Sequence, residues 1–462
     1  SVTASEIATL NVTGTQDLEL TTVTTAADAD VSATDFSGDI TATFAAAIDS
    51  YAGGSGADDI TLGAPAAFNA DNTFDGGDGT EDVLTVDGLD ADAGEVNVSA
   101  FETLNIVADG TAGAVDLRGS TGIETISVSG ETTPADDDLE LTFIAPGVTV
   151  EVDGDFGELT TTTASGTEQT VALTGTSGSP STLVLLELDD QTETLNLVAD
   201  DGDDTDGNWD YNVNEITGTA LDTIVVTGGD NLNLTGGPGT PDTVTTFDAS
   251  ESDGDVTYTS NNDDPDATTS IIGGDGADAL TGGDADDAIA GGSGADILDG
   301  GAGADTLTGG AGNDDLTGGA GSDTFVFDPS GGDEDTITDF AVGDTLVIEG
   351  IDGADDAEDD FAAAIDTLTF TGGDNSGAAW DAEIAFTGGG TLVLQDLFTS
   401  GGIEGDLNGI FGTGVATQDG GNWTIDGDEV SGSELENAFD PALTVNFDTS
   451  GDDILVSGAA VV

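Results

Sequence analysis

The chain has 462 residues, of which 95 are Asp or Glu and one, Arg118, is basic, giving a formal charge of −94. A surface of that sign repels phosphate, so nucleic acids, anionic membrane surfaces and polyphosphate ligands are excluded as partners. His, Cys, Lys and Met are absent, which removes Ser-His-Asp and Cys-His nucleophiles, the usual zinc ligands, a P-loop lysine and a Schiff base. What remains for chemistry is carboxylate, hydroxyl and main-chain carbonyl, the oxygen ligands of a hard cation such as Ca²⁺.

High charge, few aromatics and 71 glycines are marks of a disordered chain. Against them stands 36% apolar content arranged in short, regularly spaced β-branched runs, the pattern of strands with a buried face. The expectation is an all-β protein whose fold is conditional on cations. No run reaches the length of a membrane span. The first residues, Ser1-Val2-Thr3-Ala4-Ser5-Glu6, have neither a basic nor an apolar leader segment, so a Sec-type signal is expected to be absent or already removed.

From the N-terminus, a loose repeat recurs in ATLNV from Ala8, ETLNI from Glu102, ETISV from Glu124, ETLNL from Glu193 and DTIVV from Asp222. Each copy puts two branched apolar residues on one strand face and polar residues on the other. The spacing between copies is irregular, so residues 1–265 are expected to form one or two β-rich domains, either a β-solenoid with variable loops or a stack of β-sandwiches. Gly-rich loops interrupt this region. GGSGADDI from Gly53 offers Asp58 as a candidate metal ligand, while GGDG from Gly76 and GGPG from Gly236 carry insertions that move Asp82 and Asp242 out of register. The boundary is expected at NNDDPD from Asn261.

In residues 266–350 the pattern becomes strict. GGDGADALT from Gly273, GGDADDAIA from Gly282, GGSGADILD from Gly291, GGAGADTLT from Gly300, GGAGNDDLT from Gly309 and GGAGSDTFV from Gly318 follow one another without a gap. Six tandem units of the form Gly-Gly-x-Gly-x-Asp-x-apolar-x resemble the calcium-binding nonapeptide repeat of RTX (hemolysin-type) proteins. That resemblance implies a parallel β-roll holding several Ca²⁺ ions.

The pattern also has a physical reading of its own. Glycines let the loop backbone turn and present carbonyls inward, and the three residues that follow form a short strand with one buried apolar side chain. If two units make one turn, aspartates 18 apart stack, with Asp278, Asp296 and Asp314 on one side and Asp287, Asp305 and Asp323 on the other. These six, with the carbonyls of the loops opened by Gly273, Gly282, Gly291, Gly300, Gly309 and Gly318, form the expected metal site. The interior would be the column Leu280, Ile289, Leu298, Leu307, Leu316 and Phe325. Beyond the strict tract, Asp335 is expected to stack near Asp314 and Asp344 near Asp323, with Asp339 a further candidate ligand.

Residues 351–462 are expected to form a small, mostly β domain. Phe361, Ile365 and Leu368 predict a short helix over 359–368, with acids at its start. A hairpin is predicted over 382–397 around Gly388-Gly389-Gly390, and the small apolar ending AAVV from Ala459 resembles a type I secretion signal.

The wider style of the chain resembles RTX-containing bacterial surface-layer proteins. This implies export by a type I system, folding where Ca²⁺ is met outside the cell, and assembly into a homo-polymer that forms a surface layer or filament, with a cell-surface polysaccharide as a further partner. RTX enzymes rely on histidines that this sequence lacks, and 95 carboxylates make any glycosidase pair uninformative, so no enzyme is expected. The alternative is a calcium-dependent adhesin that holds glycans or another surface, for which Trp209, Tyr211, Trp380 and Trp423 would be the aromatic contacts.

Overall fold

The computed structural model describes residues 2–3, 8–24, 29–45, 48–63, 71–87, 95–108, 113–130, 138–175, 181–200, 210–234, 242–262, 267–341, 343–349, 365–372, 379–386, 389–399, 416–419, 422–426, 443–447 and 454–458. They fall into two compact units, Ser1–Thr243 and Val244–Val462. All regular structure among them is β-strand.

In the first unit every pairing between described strands is parallel and joins a strand to one two or three places further along the chain. One stack runs through Leu18–Thr24, Ile40–Phe44, Asp58–Gly63, Val83–Asp87, Thr103–Val107, Thr125–Ser129, Thr149–Asp153, Glu168–Thr174, Thr194–Ala199 and Thr223–Gly228. The intervening strands stack likewise, in Thr9–Gly14 to Asn97–Ser99 and then Gly113–Asp116 to Ser181–Leu188. Parallel pairing of alternate strands requires a chain that coils, so the unit is a β-solenoid; a stack of sandwiches would be built from antiparallel sheets.

The loose Glu-Thr-Leu-Asn-Ile repeat explains the coil. Its two apolar residues point inward and stack in register, as in Leu104, Ile126 and Val150, or Ile106, Val128 and Val152, all buried. Thr, Asn and Ser alternate with them on the outer face, where β-branched and polar side chains suit a pleated, hydrated surface. The turns vary from 18 residues, Ile40 to Asp58, to 30, Ser181 to Tyr211, and the surplus goes into loops. This irregular turn length is what blurred the repeat in the sequence.

The second unit opens on the same plan. Thr246–Ser252, Ser270–Ile272, Ala288–Ser293, Thr306–Ala311, Thr324–Phe327 and Thr345–Ile348 form one parallel stack. Val256–Thr259, Ala279–Thr281, Ile297–Asp299, Asp315–Thr317 and Glu334–Ile337 form the other. The roll therefore starts upstream of the NNDDPD segment, because Thr246–Ser252 and Val256–Thr259 supply its first turn. There Phe247 and Tyr258 stack at 3.9 Å between ring centroids and fill an interior that the tract proper fills with Leu280, Ile289, Leu298, Leu307, Leu316 and Phe325, each at most 2% exposed.

Downstream, the helix expected over 359–368 gives way to a strand in the part that is described. Residues 359–364 lie outside the described residues, and Ile365–Gly372 is a strand, antiparallel to Ala379–Phe386 and Asn422–Asp426. Ile365, Thr367, Thr369 and Thr371 alternate with other residues at period two and are stiff at χ1, which outweighs the three-residue spacing on which the helix rested. The hairpin is present, with Ala379–Phe386 antiparallel to Thr391–Thr399, and Thr391–Thr399 also pairs in parallel with Glu334–Ile337. Trp209, the GGPG loop at Gly236 and the AAVV ending lie outside the described residues.

The inward column should dominate the stability of the first unit. Ile126→Ala is expected to destabilise it by about 2–5 kcal/mol through lost burial and the cavity left behind, read as a lower urea midpoint by circular dichroism.

Candidate metal centre

The sequence places one aspartate at the sixth position of every nonapeptide, where the glycine loop hands over to the strand. The coil then stacks these residues at intervals of 18, and each carboxylate becomes a rung. Asp278 N–H donates to Asp296 Oδ1 at 2.8 Å, Asp296 N–H to Asp314 Oδ1 at 2.9 Å and Asp314 N–H to Asp335 Oδ1 at 3.2 Å. On the opposite side Asp287 N–H donates to Asp305 Oδ1 at 2.8 Å, Asp305 N–H to Asp323 Oδ1 at 3.0 Å and Asp323 N–H to Asp344 Oδ1 at 3.0 Å. Asp335 and Asp344 thus stack on Asp314 and Asp323. All eight aspartates are at most 4% exposed.

The second carboxylate oxygen distinguishes the middle of the tract from its ends. Oδ2 of Asp278, Asp287 and Asp344 accepts an amide N–H at 2.7 Å, from Gly274, Gly283 and Ala341 respectively. Oδ2 of Asp296, Asp305 and Asp314 is buried and accepts no hydrogen bond. A Cβ built on Gly273, Gly282, Gly291, Gly300, Gly309 or Gly318 would stand only 2.2 to 2.6 Å from Oδ2 of the aspartate in its own unit. The leading glycine is therefore a clearance for that oxygen. Gly312 shows a second use: its φ is +134° and a Cβ there would lie 1.4 Å from the Gly294 carbonyl oxygen, so loops stack only without side chains.

A buried carboxylate with an unpartnered oxygen must take up a proton or a cation. Among the described residues the only ion pair is Arg118 with Asp116, at 3.2 Å, in the first unit, so the roll supplies no cation of its own. Burial pushes the carboxyls of Asp296, Asp305 and Asp335 up to about 7, with neighbouring aspartates adding to the rise. Burial also raises Asp278, Asp314, Asp323 and Asp344. No three carboxylates converge on one point among the described residues. Any one position offers a carboxylate oxygen and loop carbonyls, an all-oxygen set of mixed charge that suits Ca²⁺, which accepts main-chain carbonyls in flexible geometry.

Asp339 stands apart from these columns. It is half-buried, and its two oxygens accept from the amides of Gly318 and Gly319 at 2.9 and 2.7 Å. It braces the last strict loop.

In the first unit the order of candidates reverses. Asp58 is buried and in register, its Oδ1 accepting from Ile40 N–H at 3.1 Å, but its Oδ2 is taken by the Tyr51 hydroxyl at 2.7 Å. Asp82, set aside in the sequence as out of register, accepts from Asp58 N–H at 2.6 Å through Oδ1 and has a buried, unpartnered Oδ2. The inserted residue is absorbed at Glu81, whose φ of +67° folds the extra length outward. Burial raises the Asp82 carboxyl to about 6. Asp242 is exposed. Tyr211, considered above as a glycan contact, is 2% exposed and belongs to the core.

Residues 268–298 and 291–325 match the family model of the RTX calcium-binding nonapeptide repeat (4 copies). The chain therefore carries RTX calcium-binding repeats, and the cation it binds is Ca²⁺. No curated protein matches the chain. Among the described residues no helix is long and apolar enough to cross a membrane.

The carboxyl shifts give a pH dependence with a definite sign. Folded-state values near 7 for Asp296, Asp305 and Asp335 lie above the unfolded carboxylate value of about 4. In chelator the roll is therefore expected to be most stable below about pH 4 and to lose that stability as pH rises towards 7. Protons and Ca²⁺ compete for the same oxygens, so calcium affinity should rise across the same window. Circular dichroism in chelator and calcium titration, both run from pH 4 to 8, check the two halves.

Proposed function

We propose that this is an extracellular structural protein that folds on Ca²⁺ and self-assembles into a surface layer or filament. The observation that carries the reading is the set of buried, in-register carboxylates with unpartnered oxygens in a chain of charge −94. Asp296, Asp305 and Asp314 hold the ions through Oδ2, with Asp278, Asp287, Asp323, Asp335 and Asp344 and the carbonyls of the glycine loops completing their surroundings. When bound, Ca²⁺ supplies the positive charge that the roll lacks. Extracellular calcium modules bind at about 10⁻⁴ to 10⁻³ M. At that affinity the chain stays open at cytosolic calcium and closes outside the cell, since a ligand that binds only the folded form stabilises it by mass action. Export through a type I system fits that order of events.

Two features support assembly rather than catalysis. Repetitive β-coil occupies most of the described chain, and the buried carboxylates lie in columns along the coil rather than in a cleft. A long coil with a polar Thr- and Asn-rich exterior is a building element whose surfaces recur at a fixed interval.

Electron microscopy in millimolar Ca²⁺ and after chelation tests the assembly: sheets or filaments that dissolve on chelation are expected, and calcium-folded particles that stay monomeric would overturn it. Two variants separate ligands from braces. Asp305→Asn should raise the calcium concentration needed for folding by circular dichroism, whereas Asp339→Asn should leave that midpoint near the parent's.

A further inference from the structure

Residues 53–82 lie outside the segment that matches the nonapeptide family, yet they rebuild its central feature in the first unit. Asp82 is 0% exposed, and its Oδ2 is buried without a hydrogen-bond partner. That oxygen sits in a glycine cradle: a Cβ on Gly76 or on Gly79 would come within 2.8 Å of it. Main-chain carbonyls crowd the same glycines, since those Cβ positions fall 2.0 Å from the Ala100 oxygen and 2.2 Å from the Gly56 oxygen. The rung is closed on both sides by main-chain bonds, Asp58 N–H to Asp82 Oδ1 at 2.6 Å and Asp82 N–H to Glu102 Oε2 at 2.8 Å. Three carboxylates, Asp58, Asp82 and Glu102, therefore follow one another up the coil, and Asp82 keeps a buried oxygen for a ligand.

The neighbouring rung shows what the site would look like if it were purely structural. At Asp58 the corresponding oxygen is satisfied by the Tyr51 hydroxyl, and Tyr51 is itself packed at 6.1 Å from Phe101. At Asp82 no side chain takes that place.

We propose that Asp82, with carbonyls of the loops at Gly53–Gly56 and Gly76–Gly79, forms a separate divalent-cation site in the first unit, occupied by Ca²⁺. The site suits an oxygen-seeking cation, because the Asp82 carboxylate and the Gly56 and Ala100 carbonyls around its glycine cradle are all oxygen donors. It ties two successive turns of the solenoid together at a point where the turn is lengthened by Glu81. Asp58 belongs to the site's wall, and its carboxylate is held by Tyr51.

Equilibrium dialysis of ⁴⁵Ca²⁺ against the full chain tests this directly. Asp82→Asn, which keeps Oδ1 as the acceptor for Asp58 N–H, should bind one ion fewer per chain than the parent, while hydrogen exchange in residues 273–325 still shows calcium-dependent protection. Unchanged stoichiometry would overturn the site. Loss of protection throughout 273–325 would assign the effect to general misfolding, and the decision then passes to Tb³⁺ with the parent chain and Tyr51→Phe. Tyrosine-excited Tb³⁺ emission should fall in Tyr51→Phe, since Tyr51 adjoins the proposed site through Asp58; equal emission in the two would sink the proposal. Failure of the nonapeptide tract to bind calcium would appear separately, as the absence of protection in 273–325 in the parent.

Discussion

The contact on which this structure turns is a main-chain N–H of one aspartate donating to the carboxylate of the next, one full turn along the coil. It does two things that pull in opposite directions. It fixes the spacing of successive turns with a charge-assisted hydrogen bond, and it carries a carboxylate into the interior with one oxygen still to be satisfied. A chain with a single basic residue cannot resolve that conflict internally. The cation is thus a part of the packing, and the glycines are the space left for it. Apolar burial is sparse in the strict tract, where the strands Ala279–Thr281, Ile297–Asp299 and Asp315–Thr317 each bury a single Leu.

The two units solve one problem with different means. Where turns are long and irregular, pairs of branched residues such as Leu195 with Leu197 or Ile224 with Val226 fill the interior, and apolar burial carries the fold. Where turns shrink to the strict nonapeptide, each strand buries fewer atoms and the aspartate columns take over. The segment around Asp58 and Asp82 mixes both modes, with Phe74 and Phe101 in the interior next to a carboxylate rung.

Much of this was legible in the residues. The period of nine gave the two-sided aspartate columns, because a fixed turn length leaves no freedom in which residues meet, and the surviving Asp-x-apolar core carried Asp335 and Asp344 into the same columns. The first unit showed its strands but not how they stacked, since loops of unequal length hide the register that makes Thr125 face Thr149. Asp82 was missed for a similar reason: one inserted residue breaks a sequence period, while a single left-handed residue at Glu81 restores the spatial one. Tyr51 as the partner of Asp58 carried no signal, because nothing local points one strand's hydroxyl at the next loop's carboxylate. Where three-residue spacing and period-two alternation coincide, at Ile365 and Leu368, the strand pattern prevails.

Strict repetition has a cost in alignment. The loops from Gly273 to Gly318 are interchangeable, so Ala288–Ser293 paired one turn out of place would meet the same glycines and the same carboxylate acceptor it meets when correctly paired. Such a slip is invisible to the interior of the tract, and only its borders can refuse it. At one border the stacked rings of Phe247 and Tyr258 need the wider first turn. At the other, the step from Asp314 to Asp335 and from Asp323 to Asp344 is 21 residues instead of 18, a length no other position in the tract can absorb. The aperiodic ends therefore hold the counting frame, and the identical turns between them inherit it.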